Sequence, residues 1–187
     1  MKANLRLHAF LPVSRANGPG ARAVVWVQGC SLGCAGCYNA ETHAFAGGEL
    51  VSVDDLFERI ASLGDKIEGI TISGGEPFQQ SGALLRLLRR VREETRLSIL
   101  IFTGYTWEEA QQMKDAGELL ACADVLIAGR YDESQRVAHS LIGSRNKTLH
   151  FLTGRYAMAD LPAVPQAEVI ITPEGDMIVS GIEPLRL

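Results

Sequence analysis

Apolar residues in the first two thirds of the chain form short runs, and these alternate with stretches whose apolar positions follow a helical period. Continuous apolar runs bounded by Gly or polar residues are typical of strands buried on both faces. They predict strands at 23–27, 69–73, 97–102 and 124–128. Between them, the helical patterns predict helices at 53–63, 82–94 and 106–116, with Ser52 capping the first and Thr106 opening the third through a capping box.

Strands joined by helical crossovers predict an α/β fold with a parallel sheet. The chain has 187 residues, which is too short for eight strand–helix units, so we expect a partial, open barrel. Beyond residue 154 the pattern changes: two apolar stretches, 167–172 and 177–180, flank the turn sequence Pro-Glu-Gly-Asp and predict a β-hairpin. We therefore divide the chain into a core domain, 1–154, and a C-terminal extension, 155–187, packed on or beside it.

The composition narrows the classes of protein that fit. The net charge is −4 without long runs of one sign, whereas nucleic-acid and membrane-surface proteins need concentrated Lys and Arg. No apolar stretch is long enough to span a bilayer, and the first residues do not form a signal peptide. We expect a cytoplasmic protein that binds neither nucleic acid nor membrane.

The chemistry of the chain is concentrated in a tight cysteine motif with the spacing C-x₃-C-x₂-C, which consists of Cys30, Cys34 and Cys37. Thiolates so close together select zinc, copper(I) or an iron–sulfur cluster. A structural zinc site needs a fourth ligand, and the candidates Cys122, His8 and His43 lack supporting spacing. A 4Fe–4S cluster on three cysteines leaves one iron open to a cofactor, which favours this interpretation. Cys122 is expected to be a buried, inert thiol.

With Tyr38 directly after the last cysteine, the motif resembles the radical S-adenosylmethionine superfamily. Segments 17–22 (NGPGAR) and 26–30 (WVQGC) resemble the glycyl-radical-enzyme activases. Four further segments resemble the activating protein of the anaerobic ribonucleotide reductase: 37–39 (CYN), 103–109 (TGYTWEE), 124–127 (DVLI) and 143–146 (GSRN). The resemblance covers most of the chain and implies a partial barrel of the radical S-adenosylmethionine type.

The resemblance also implies a cofactor site. Segment 73–77 (SGGEP) matches the glycine-rich cofactor motif of the superfamily. There Gly74 and Gly75 allow close backbone approach, and the carboxylate of Glu76 pairs with the ammonium group of S-adenosylmethionine. Gly36 and Tyr38 would flank the adenine. An ordinary strand-to-helix turn and simple core filling by the tyrosine are the alternatives.

Three more residues belong to the implied cofactor site. Thr103 and Gly104 end a predicted strand at the same edge of the sheet and would meet the ribose or the methionine carboxylate. Arg130 would reach that carboxylate, with a surface salt bridge as the alternative.

The implied activity is reductive cleavage of S-adenosylmethionine to a 5′-deoxyadenosyl radical, which installs a glycyl radical on a partner such as anaerobic ribonucleotide reductase. A low-potential donor such as flavodoxin or ferredoxin would reduce the cluster. Two departures bear on the partner: Ala128 stands where the family commonly has Asp, and the extension lies beyond the usual end of these activases. The alternatives are an enzyme of the same superfamily acting on a peptide or small molecule, and a non-enzymatic iron–sulfur electron carrier.

Overall fold

The computed structural model describes residues 3–139 and 141–182 and has a mixed α/β fold. Its strands are β1 (Asn4–Ser14), β2 (Arg22–Val27), β3 (Glu49–Ser52), β4 (Gly69–Gly74), β5 (Ser98–Thr103), β6 (Val125–Ala128), β7 (Arg136–His139), β8 (Ile142–Ser144), β9 (Thr148–Phe151), β10 (Ala167–Ile171) and β11 (Met177–Gly181). Its α-helices are α1 (Val53–Ala61), α2 (Ser81–Glu94), α3 (Trp107–Gln112) and α4 (Ala116–Cys122).

A seven-stranded sheet in the order β3-β1-β2-β4-β5-β6-β9 forms the centre of the molecule. The strands β2, β4, β5 and β6 run parallel, as the predicted helical crossovers require. Antiparallel strands extend both sides of this parallel centre, since β1 pairs with β2 and with β3, and β9 pairs with β6. The predicted α/β class is confirmed, and the flanking strands add to it.

Both faces of the sheet are buried. On one face, α1, α2 and α4 cover side chains that include Ile70, Ile99 and Ile101. On the other face, the alternate residues Leu100, Val125 and Ile127 pack with Leu141 and Leu161. Because successive side chains of a strand point to opposite faces, the continuous apolar runs of the sequence supply both cores. The second core includes Leu161 of the C-terminal extension, which is fully buried.

The helix starts agree closely with the sequence, and one helix end does not. The Ser52 side chain accepts a hydrogen bond from the amide of Asp55, and Thr106 with Glu109 forms the predicted capping box. The helix predicted at 106–116, however, ends at Gln112. Asp115 has a φ of 62° in the left-handed region, which interrupts the helix before α4 begins.

The extension is joined to the sheet by polar contacts as well as by Leu161. Arg22 is completely buried at the start of β2, where its guanidinium donates to Thr71 Oγ1 at 2.8 Å and to Ser98 Oγ at 2.8 Å. The Tyr156 hydroxyl lies 2.8 Å from the same Ser98 Oγ. Further on, β10 and β11 form an antiparallel two-stranded sheet. Residues 183–187 of the predicted extension and residues 1–2 and 140 of the predicted core lie outside the described residues.

No α-helix within the described ranges 3–139 and 141–182 is both long and apolar enough to cross a membrane.

Candidate active site

A cavity of about 370 Å³ opens at the carboxyl edge of the parallel strands. Polar groups contributed by separate loops converge there, as expected for open α/β sheets. Of the predicted site residues, the cavity is lined by Cys30, Cys34, Cys37, Tyr38, Gly74, Gly75, Glu76, Thr103 and Gly104. Gly36 and Arg130 do not line it.

Backbone hydrogen bonds fix the start of the cysteine loop where it leaves β2. The amides of Gly29 and Cys30 donate to the carbonyls of Thr42 and His43, at 2.7 and 3.0 Å. The Gln28 side chain, which is 4% exposed, donates to the Ala44 carbonyl at 2.7 Å. The loop is therefore closed on itself, and the first cysteine is held by main-chain groups.

The three cysteine thiols are partly buried, and for Cys30 and Cys37 this burial favours the neutral form in the free protein. Burial raises the pKa of the Cys30 and Cys37 thiols, and it is opposed by backbone hydrogen bonds to the sulfurs, from Leu32 and Gly33 in one case and from Asn39 in the other. The same amides would stabilise thiolates bound to a positively charged group, since they donate to the sulfur atoms.

The geometry does not form a closed single-metal site. In residues 3–139 and 141–182, no three His, Cys, Asp or Glu side chains lie close enough together to hold one metal ion. A tetrahedral zinc site would bring thiolate sulfurs to within about 3.8 Å of one another, given Zn–S bonds of about 2.3 Å. Three cysteines around one larger cavity fit an iron–sulfur cluster better, because each thiolate binds a different iron.

Of the three candidate fourth ligands for zinc, two share the cavity with the cysteines and one does not. Cys122 is 8% exposed at the end of α4 and is absent from the cavity lining. His8 and His43 line the cavity, but the Nδ1 atom of His8 is 3.0 Å from Gln28 Oε1. Because no three His, Cys, Asp or Glu side chains of the described residues are placed to hold one metal ion, the alternative of a structural zinc site has no support from the side-chain arrangement.

The glycine-rich segment is packed directly against the cysteine loop. The Glu76 amide donates to the Gly29 carbonyl at 2.9 Å, and a Cβ atom on Gly75 would lie 2.3 Å from that carbonyl oxygen. At Gly74, φ is +100° and a Cβ atom would lie 2.4 Å from the backbone nitrogen of Val27. A side chain is therefore excluded at Gly75 by the cysteine loop, and at Gly74 by its backbone conformation and by β2.

Glu76 is the most perturbed acid of the cavity. It is completely buried, and its carboxylate accepts hydrogen bonds from the Phe78 amide at 3.0 Å, Thr103 Oγ1 at 2.8 Å and the Gly104 amide at 2.7 Å. Burial raises the pKa of Glu76 to about 7, although these three donors act in the opposite direction. Thr103 and Gly104 thus donate their hydrogen bonds to Glu76. The sequence predicted contacts of these two residues with the cofactor and did not predict these contacts with Glu76.

Tyr38 lies on the wall of the cavity and packs against other aromatic and cationic groups. Its ring centroid is 4.8 Å from that of Tyr131 in a T-shaped arrangement, and the Arg136 guanidinium is 5.5 Å from the Tyr38 ring. Gly36 has a φ of +67°, and a Cβ atom there would contact the Glu133 carboxyl group. Gly36 shapes the cysteine loop from outside the cavity.

A cation other than the predicted Arg130 lines the cavity. Arg130 forms an ion pair with Glu109 at 2.6 Å with its side chain 41% exposed, which is the surface salt bridge considered as its alternative. Lys147 lines the cavity instead, and its ammonium group donates to the carbonyl of Gly129. Burial lowers the pKa of Lys147, while the nearby Cys34 and Glu76 act to raise it. The sequence did carry a signal for Lys147, because this residue directly follows segment 143–146, which resembles the activating proteins.

The fold and this cavity define a class of protein: an α/β domain that presents a cysteine triplet at the carboxyl edge of a parallel sheet. The family model described as "4Fe-4S single cluster domain" matches residues 16–150. That range contains the cysteine loop, the glycine-rich segment and Lys147.

Similar proteins of known name identify the family within this class of 4Fe–4S domain. The chain is 33% identical to the anaerobic ribonucleoside-triphosphate reductase-activating protein of Vibrio cholerae over 156 residues, which cover 80% of this chain and 99% of the relative. The proteins of the same name from Haemophilus influenzae and Escherichia coli K12 are 35% and 33% identical, covering 75% and 79% of this chain and 94% and 99% of the relatives. The chain belongs to this family of activating proteins.

Among solved structures, QueE from Escherichia coli is similar with a TM-score of 0.46 and 21% sequence identity, over 55% of this chain and 54% of QueE.

Proposed function

We propose that the chain is a radical S-adenosylmethionine activase that installs a glycyl radical on an anaerobic ribonucleoside-triphosphate reductase. The observation that carries the proposal is the joint lining of one cavity by the cysteine loop and the segment around Glu76, in a chain of this family. An electron carrier needs only the cysteines, so the presence of the segment around Glu76 in the same cavity favours an enzyme. The family relationship favours a protein substrate over a small molecule.

In this proposal Cys30, Cys34 and Cys37 would hold a 4Fe–4S cluster, since all three line the cavity. A bound cluster would supply the electron for reductive cleavage of S-adenosylmethionine, and with it the radical chemistry that converts a glycine of the partner to a glycyl radical. The chain's own contribution is to hold the sulfurs with backbone amides and to enclose the site. Tyr38 and the loop shaped by Gly36 would flank the adenine.

The amino and carboxylate groups of the methionine moiety would each meet a protein group of opposite charge. The Glu76 carboxylate receives three protein donors and still offers acceptor capacity for the cofactor's amino group. Thr103 and Gly104 would act through Glu76, by orienting its carboxylate and favouring its charged form. We assign the methionine carboxylate to Lys147 in place of Arg130, since Lys147 lines the cavity and Arg130 is paired with Glu109.

We further propose a division of the chain into two parts. The sheet would serve as the open partial barrel of a radical S-adenosylmethionine core over residues 1–154, with 155–187 as an extension. The end of β9 at Phe151 supports that boundary. A cytoplasmic location and a donor of the flavodoxin or ferredoxin type are proposed with it.

The test is an anaerobic assay in two stages. Protein reconstituted with iron and sulfide, and reduced with dithionite, should convert S-adenosylmethionine to 5′-deoxyadenosine and methionine. Adding the anaerobic reductase of the same organism should give a glycyl-radical doublet in electron paramagnetic resonance, which disappears when the target glycine of the reductase is changed to alanine. Absence of cleavage by cluster-loaded protein would refute the activity, and cleavage without any doublet would refute the choice of partner.

A further inference from the structure

The C-terminal hairpin, formed by β10 and β11, exposes an apolar surface. Val169 lies opposite Val179, and Ile171 lies opposite Met177. Because alternate residues share a face of a strand, these four side chains form one patch, which we call the outer face. They are 42%, 45%, 73% and 58% exposed, respectively. Contiguous exposed apolar patches on soluble proteins mark interaction sites.

Polar contacts fix the hairpin in place through its opposite face. The Glu168 carboxylate accepts hydrogen bonds from the Ser14 hydroxyl and from the Arg15 amide, the latter at 2.9 Å. The Asn17 side chain donates to Ser180 Oγ at 2.6 Å. The hairpin is thereby attached to the loop that follows β1, and its orientation leaves the outer face directed away from that loop.

The hairpin is continuous with the candidate active site. Residues 178–182 line the same cavity as the cysteine loop. Val179 is the member of the outer face among them, since Ile178 and Ser180 point to the opposite face. A polypeptide that delivers a glycine into the cavity would therefore meet the outer face at Val179. The hairpin turn also carries two carboxylates, Glu174 and Asp176, which would attract a basic residue flanking such a polypeptide.

The hairpin lies outside the part of the chain shared with the family. The family model ends at residue 150, and the match to the Vibrio cholerae relative covers 99% of that protein but only 80% of this chain. Relatives that carry the same name thus lack a counterpart for about a fifth of this chain. The hairpin thus lies outside the part of the chain that carries the family's common chemistry, as expected for a surface that recognises a particular partner.

We propose that the outer face of the hairpin docks an extended apolar segment of the protein substrate, adjacent to the glycine that receives the radical. The proposal rests on the proposed function and adds to it the surface that recognises the partner. An extended segment places alternate side chains on one face, so its apolar side chains can be buried against the regularly spaced side chains of the hairpin. A few well-packed apolar side chains carry most of the energy of such contacts.

The chain offers a matched pair of variants for the test. Met177 and Met158 both belong to the extension and are 58% and 56% exposed, but only Met177 lies on the outer face. Met177→Asp and Met158→Asp introduce the same change of charge and volume. Neither residue lines the cavity, so cleavage of S-adenosylmethionine without a partner should be unchanged in both.

The measurement uses cluster-loaded full-length protein and the anaerobic reductase of the same organism. We expect Met177→Asp to need about 10- to 100-fold more reductase for half-maximal glycyl-radical formation, while Met158→Asp matches the wild type. An unchanged requirement in Met177→Asp would overturn the docking proposal alone. A changed sedimentation coefficient with an unchanged requirement would assign the face to self-association and also overturn it. Wild-type protein that cleaves the cofactor but yields no radical on the reductase would overturn both this proposal and the proposed partner.

Discussion

The ionisation of Glu76 gives the sharpest test of the cofactor site. Burial raises the pKa of this carboxyl group to about 7, so the free site is largely protonated below pH 7 and largely ionised above it. A protonated carboxyl cannot pair with the amino group of S-adenosylmethionine as a carboxylate does. Cofactor affinity should therefore fall as the pH is lowered through 7.

The size of the effect follows from the pKa. With a pKa of about 7, about 9% of Glu76 is ionised at pH 6 and about 76% at pH 7.5, so the affinity should differ about eightfold between these values. The higher of these two pH values, 7.5, is below the usual pKa of an α-amino group, about 7.7–8.0, so the amino group of the cofactor stays mostly protonated over this range. Glu76→Gln should abolish this dependence and weaken binding at pH 7.5 by roughly 10- to 150-fold, since a charge-assisted hydrogen bond contributes about 1.5–3 kcal/mol.

Anaerobic calorimetric titration of cluster-loaded protein with S-adenosylmethionine measures both effects. Glu109→Gln is the matched control, because this carboxylate is paired with Arg130 on the surface and does not line the cavity. Thr103→Val removes one donor from Glu76, so it should move the midpoint of the pH dependence upward. Equal affinity of the wild type at pH 6 and pH 7.5 would refute the assignment of Glu76 to the cofactor.

Two further predictions concern the cluster ligands and the cation of the cavity. Alanine in place of Cys30, Cys34 or Cys37 should abolish the roughly four irons per chain expected after reconstitution, whereas Cys122→Ala should leave the iron content unchanged; equal iron loss in all four variants, measured by iron analysis, would contradict this. Lys147→Met should weaken binding of S-adenosylmethionine by about 10-fold or more, while Arg130→Met, tested in the same titration, should not. If Arg130→Met weakened binding and Lys147→Met did not, the methionine carboxylate would be assigned to Arg130 and not to Lys147.

Local patterns predicted the centre of the fold. The parallel strands and the starts of their connecting helices follow from short-range signals, such as the apolar runs and the capping box at Thr106. The antiparallel β1 was not predicted, although its buried residues Leu5 and Leu7 alternate with more exposed ones. Its neighbour β3 has only four residues, and strands this short depend on the partner with which they pair. The break at Asp115 depends on a backbone conformation that no residue pattern specified.

The sequence by itself determined which chemical groups are available: the spacing of Cys30, Cys34 and Cys37, the glycine-rich segment, and the position of each at the end of a strand. Only the tertiary structure decided which groups share the cavity. It brought in Lys147 and the hairpin and left Arg130 outside. The reason is that ligand spacing and strand ends are local properties of the chain. The direction of a long side chain and the docking of a distant hairpin depend instead on contacts across the fold, which no sequence spacing encodes.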